Sequence, residues 1–131
     1  MSLEHVDPPE LYPGAPYHYA TIASAGRMVF AAGACPIDAS GRVPDPGDFE
    51  AQAALAVRNL ETALTAAGAG LGDVVKTTVY VAGRDRSELV RAWDVVAAAF
   101  TPARPPSTLL GVAFLGYPDQ LVEIEAIAVA G

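Results

Sequence analysis

The residues best suited to chemistry stand in the last apolar run, LVEIEAIAVA, where Glu123 and Glu125 interrupt a string of aliphatic side chains two positions apart. On a β-strand that spacing puts both carboxylates on one face, with Leu121, Ile127 and Val129. Two readings fit such a face. In one it is wet, or its carboxylates pair with a basic neighbour. In the other it closes against another subunit and one carboxylate points into a crevice, where partial desolvation raises its pKa and suits it to proton transfer.

Other chemistries have less to stand on. There is no GxSxG word, and Cys35 has no basic partner nearby in sequence, which fits small core filling better than a nucleophile. Gly68, Gly70 and Gly72 are spaced like a helix end and a turn, without the flanking strand and helix of a dinucleotide fingerprint, so no cofactor is expected. His18 is a possible general base, although a histidine on a strand is more often simply hydrogen-bonded. His5 and His18 have no further His or Cys at ligand spacing, so no metal is expected.

Composition narrows the partners. The formal net charge is −7, and the eight basic residues are scattered, with Asp85, Glu88 and Asp94 interrupting the densest stretch. Such a field repels nucleic acid. The start of the chain has acidic residues, prolines and no apolar run, and no stretch approaches the roughly 18 apolar residues of a membrane span. A lone cysteine suits a reducing compartment, so a cytoplasmic protein is expected. Hydrophobic residues make up 52% of 131, which is ample for one domain over 1–131 and leaves apolar surface for an oligomer interface.

The elements that must position the carboxylates follow from pattern. Residues 1–16, rich in proline and polar groups, read as an extended arm. YHYATIAS (17–24) and RMVFAAGA (27–34) read as two strands joined by an Ala25-Gly26 hairpin turn. Asp45 and Pro46 suit a helix start, and Phe49, Ala53, Ala56, Leu60, Leu64 and Ala67 form its apolar stripe, closed by Gly68 and Gly70. In DVVKTTVYVAG, Val75, Thr77, Val79 and Val81 share one strand face, and Lys76, Thr78 and Tyr80 the other. Ser87 can cap a second helix with the stripe Leu89, Trp93, Val96 and Phe100, which ends before TPARPP. Two strands remain, STLLGVAFL and LVEIEAIAVA. The expected order is ββαβαββ, a two-layer α+β domain with both helices on one face of a mixed sheet.

That order, with VFAAGACPID, LETALTAAGAGLGDVVKTTVYV and LVEIEAIAVA, resembles the Rid (RidA/YjgF-type) family from about Pro16 to the C-terminus. The resemblance implies a chorismate-mutase-like homotrimer in which the sheets form a barrel, with small-molecule sites in clefts between subunits. It also implies hydrolysis of 2-imino or 2-enamino acids to 2-oxo acids and ammonia. Carried over by position, Glu123 matches the carboxylate that orients or activates water. Tyr17 matches the tyrosine after the family's Gly-Pro, which is Ala15-Pro16 here. Gly33 and Leu109 match positions that offer backbone groups to the ligand.

Two positions depart from the pattern. Ala32 replaces a pocket serine, and Ser107 replaces the arginine that grips the substrate carboxylate. Losing a paired guanidinium costs about 2–5 kcal/mol in a buried charge pair. Arg104 is the candidate substitute. An odd step along an extended strand faces it away from Ser107 unless the proline loop folds back. The alternative is a Rid-like trimer whose pocket takes a ligand without a carboxylate, as an enzyme or only a binding protein. A ribonuclease or translation-inhibitor role fits the charge least.

Overall fold

A computed structural model describes residues 2–131. The first helix, α1 (Phe49–Ala66), buries Phe49, Gln52, Ala53, Ala56, Val57, Leu60 and Leu64, so the expected stripe is its core face. Its start lies later than Asp45 and Pro46 suggest. Gly47 adopts φ +77°, which cannot belong to a right-handed first turn, and the Asp48 carboxylate accepts the Ala51 amide as the N-cap. At the other end Gly68 (φ +83°) turns the chain out of the helix, and the Ala69 amide donates back to the Leu64 carbonyl. The second helix, α2 (Arg86–Ala99), is capped by Asp85 rather than Ser87: the Asp85 carboxylate accepts both the Glu88 amide and the Ser87 hydroxyl.

The helices cover one face of a four-stranded mixed sheet, ordered β3 (Arg27–Phe30), β6 (Val122–Ala130), β4 (Val74–Val81), β5 (Ser107–Gly111). β4 and β5 are parallel, as a crossover through α2 requires, and β6 runs antiparallel to both neighbours. Val79, Val81, Val122, Ile124, Ala126 and Ala128 face the helices and are almost fully buried. A bulge between Val74 and Lys76 takes Val75 out of the expected alternation and puts Val74 in the core as well. No helix among the described residues is long and apolar enough to cross a membrane.

The N-terminal region departs from expectation. Leu3–Val6 is not an extended arm but a strand, β1, which pairs antiparallel with β2 (Ala20–Ala23). The order is therefore βββαβαββ. β2 does not pair with β3: the two lie in separate sheets, linked through Ser24, Ala25 and Gly26, the last at φ +117°. An Ala-Gly pair lacks the Asn or Asp that favours a two-residue hairpin turn, and β1 offers β2 an alternative partner.

Gln52 ties α1 to the loop before β6. Fully buried, it donates from Nε2 to the Asp45 and Asp119 carbonyls and accepts the Leu121 amide on Oε1. Gln52→Leu would remove three hydrogen bonds to the backbone from a buried position, so we expect a loss of about 2–4 kcal/mol in urea unfolding. A loss below 1 kcal/mol would show that water replaces these bonds.

Candidate functional site

Glu123 sits where β3 loses its regularity. Phe30 pairs with Ile127 and Ala34 bridges Ile124, so four steps on one strand oppose three on the other. The extra residue bulges at Ala32–Gly33. A Cβ built on Gly33 would lie 2.5 Å from Glu123 Oε2 and 2.7 Å from its Cδ, so the carboxylate occupies the room that glycine leaves.

Two donors hold the other carboxylate oxygen. Gln120 Nε2 and the Cys35 thiol each donate to Glu123 Oε1 at 3.2 Å. Gln120 is itself buried, accepting the Tyr117 amide and donating also to the Val122 carbonyl. Asn59 on α1 fixes the loop opposite, donating to the Cys35 and Ile37 carbonyls. Partial burial, then the hydrogen bond to Glu123 and its charge, push the Cys35 thiol up to about 11. The thiol is therefore protonated and donating at neutral pH. In front of it opens a cleft of about 450 Å³ lined by Gly33, Cys35, Ile37, Asp38, Asn59 and Tyr117.

Glu123 and Glu125 share the face of the sheet away from the helices, opposite Tyr80 and Thr78 of β4. Neither finds a cation among the described residues. Glu125 accepts the Tyr80 hydroxyl, which raises the Tyr80 pKa, and the Lys76 ammonium donates to Thr108. A separate concavity of about 300 Å³ on this face is lined by Phe30, Lys76, Thr78 and Glu125 and does not include Glu123.

The remaining candidates gather elsewhere. Ser107 lies on the helix side of β5, where its Oγ accepts the Thr77 hydroxyl at 2.6 Å, and the neighbouring Leu109 packs on the core from the same strand. Arg104 does not face away from Ser107. Its φ of +48° breaks the extended alternation, and the two residues line one narrow crevice with Trp93 and Phe100. The Arg104 guanidinium donates to the Ala15 carbonyl, and its own carbonyl accepts the His18 amide. Tyr17 packs edge-on against Tyr19 and Trp93, and with Arg104, Asp7 and Tyr12 it lines a hollow of about 200 Å³. His18 lies in this group and not beside Glu123: its Nδ1 meets Asp7 at 2.7 Å, and this hydrogen bond, more than any other influence, holds the Asp7 carboxyl below its usual range.

The candidate residues thus fall into two groups. Glu123, Gly33 and the exposed Ala32 form one, and Tyr17, Arg104 and Ser107 the other, with no hydrogen bond or ion pair between them among the described residues. Sequence reading missed Gln120, Asn59 and the thiol contact. Gln120 stands in a turn-rich loop where a glutamine carries no signal, and only folding brings Cys35 to Glu123.

Comparison with known proteins bears on this arrangement. The family model described as Endoribonuclease L-PSP matches residues 9–130. The 2-iminobutanoate/2-iminopropanoate deaminase of Salmonella typhimurium is 37% identical over 79% of this chain and 80% of its own length. Among solved structures, YyfB of the Rid family from Yersinia pestis, at 30% identity, superposes with a TM-score of 0.90 over 98% of this chain and 99% of its own. A member of the YjgF/YER057c/UK114 family from Mycobacterium tuberculosis, at 33% identity, covers 98% of this chain and 100% of its own with a TM-score of 0.67.

Two outcomes test the Glu123 environment. Gly33→Ala should fold normally, because the obstructing atoms are the end of a side chain, yet displace the carboxylate. A crystal structure of the variant with Glu123 unmoved would refute the packing. Cys35 alkylation by iodoacetamide should be slow at pH 8 and rise about tenfold per pH unit towards a midpoint near 11. Since the folded value lies above the ordinary 9.0, stability from the protonated thiol is present below pH 9 and fades as pH rises from 9 to 11. Glu123→Gln should move the midpoint down, and a midpoint near 9 in the unaltered protein would mean that the thiol does not rest on Glu123.

Proposed function

The chain belongs to the endoribonuclease L-PSP family, that of the YjgF/RidA proteins, and on that premise we propose that it hydrolyses small 2-imino or 2-enamino acids to 2-oxo acids and ammonia. The observation that carries this reading is the position of Glu123, a carboxylate locked by Gln120 and Cys35 on one oxygen and resting over Gly33, with Gly33 and Cys35 themselves lining an open cleft. A carboxylate fixed in this way can hold a water molecule and accept its proton.

The reaction then needs no covalent intermediate on the protein. Water held by Glu123 adds its oxygen to the imine carbon as its proton passes to the carboxylate. The C=N electron pair goes to nitrogen, which takes up a proton. In the collapse the carbinolamine hydroxyl gives up its proton to the carboxylate while the nitrogen takes up the one Glu123 had held, the C–N bond breaks with its pair on nitrogen, and ammonia and the carbonyl result. Rigid placement matters here because a pre-oriented water avoids much of the entropic cost of the attack.

Substrate carboxylate recognition falls to Arg104, with Tyr17 beside it. Ser107 cannot supply a cation, and its hydroxyl is engaged by Thr77. That engagement favours one alternative, a ligand with no carboxylate handled by the same water chemistry. RNA cleavage is the least supported reading, since the net charge of −7 repels a polyanion.

A coupled assay decides between these. A pyridoxal phosphate dehydratase releases the imine from serine or threonine, and 2-oxo acid formation is followed with and without this protein. We expect acceleration that Glu123→Gln reduces at least 100-fold, general-base losses being about 10²–10⁴. Unchanged turnover in the variant would remove Glu123 from the mechanism. No acceleration by the unaltered, folded protein would sink the imino-acid reading and turn the search to carboxylate-free imines.

A further inference from the structure

The N-terminal ribbon and the main sheet each end in a strand with one edge unpaired among the described residues. β2 pairs with β1 alone, and β3 pairs with β6 alone. Side chains along both are apolar and open to solvent: Ile22 is 51% exposed, Met28 60% and Phe30 69%. Bare edges of this kind recruit another strand. The two edges are also consecutive in sequence and read as an antiparallel pair, yet within one chain they do not meet.

The reason they do not meet is visible at the root of the ribbon. His18 donates its amide to the Arg104 carbonyl, Arg104 holds the Ala15 carbonyl, and Tyr17 packs on Trp93. These contacts fasten the ribbon beside the loop that enters β5, whereas β3 lies at the opposite edge of the sheet. The Ser24–Gly26 link spans between the two sheets in an open form, with Gly26 at φ +117°.

We propose that this ribbon is exchanged between copies of the chain, β2 of one protomer pairing antiparallel with β3 of the next. The pairing joins the two-stranded sheet of one copy to the four-stranded sheet of its neighbour. The donor ribbon is fastened near β5 and the acceptor edge is β3, so the contact is head-to-tail. Exchanged reciprocally the contact closes as a pair, and exchanged in one direction it closes as a ring of more copies.

The exchange has a consequence for the site. In the register that an Ala25-Gly26 turn would set, Ser24 faces Arg27, Ala23 faces Met28 and Thr21 faces Phe30. Continued past β3, that register brings Tyr17 of the donor beside the Gly33–Ala34 segment of the acceptor, and so towards the acceptor's Glu123. The two groups that one chain keeps apart then meet across the interface. The ribbon exchange stands on geometry alone, whatever reaction the site performs.

Paired cysteines test it. In a Cys35→Ser background, Ala23→Cys with Met28→Cys places thiols on two exposed positions that face each other across the pairing. A second pair, Ala23→Cys with Phe30→Cys, covers a slip of two residues. Mild oxidation should link different chains, giving bands at two and three times the chain mass on a non-reducing gel, reversed by dithiothreitol. A disulfide closed within one chain would show that the ribbon pairs in cis. No link in either pair, with the variants folded by circular dichroism, would show that β2 and β3 do not meet at all. Either result overturns the exchange.

Discussion

The constraint on which this structure depends is the double duty of β6. It is hydrogen-bonded on both sides, to β3 and to β4, so its backbone has no freedom left and only its side chains can choose an environment. Val122, Ile124, Ala126 and Ala128 fill the space beneath two helices, and their burial fixes the strand's rotation about its own axis. Glu123 and Glu125 are then committed to the other face whatever their own solvation would favour. The position of the carboxylates is thus a by-product of the core, and a one-residue slip would bury them beneath the helices.

What distinguishes the two glutamates is local. Glu125 stands over the regular part of the ladder and meets a tyrosine hydroxyl. Glu123 stands where the β3 bulge and Gly33 remove a side chain from above it, and where the loop returning from Gln120 supplies a buried amide. The Cys35 thiol completes the clamp as a donor, and partial burial, with the carboxylate it touches, keeps it protonated and a poor nucleophile. A residue type associated with reactivity here serves as an orienting group for a neighbouring oxygen.

The legible part of the fold was the part governed by periodicity. The α1 stripe, the α2 stripe and the alternation of β6 each recur over enough residues to outweigh single exceptions, so two helices on a mixed sheet followed from pattern. Element ends were less legible because they turn on individual atoms. Asp48 displaces Asp45 as the cap once Gly47 takes a left-handed conformation, and Asp85 captures the Ser87 hydroxyl that was expected to cap α2. Of the site, Glu123 was readable because a charge inside an apolar run demands an explanation. Gln120 and Asn59 were not, since both act through backbone carbonyls and amides that come within reach only after folding. Arg104 was misplaced for a related reason: strand alternation does not extend through a loop whose φ is positive.

The N-terminal ribbon shows how weak local signals yield to tertiary ones. Residues 17–24 and 27–34 carry the composition of a hairpin, but Ala25-Gly26 specifies the turn poorly and leaves the connection free to open. Against that weak preference stand Tyr17 on Trp93, the Arg104 bonds to Ala15 and His18, and the Asp7 carboxylate accepting from His18 and Tyr19. Together these hold the ribbon at the β5 side and leave β3 bare. On the proposed exchange, the Tyr17 group of one chain and the Glu123 group of the next would make a complete site only as an assembly.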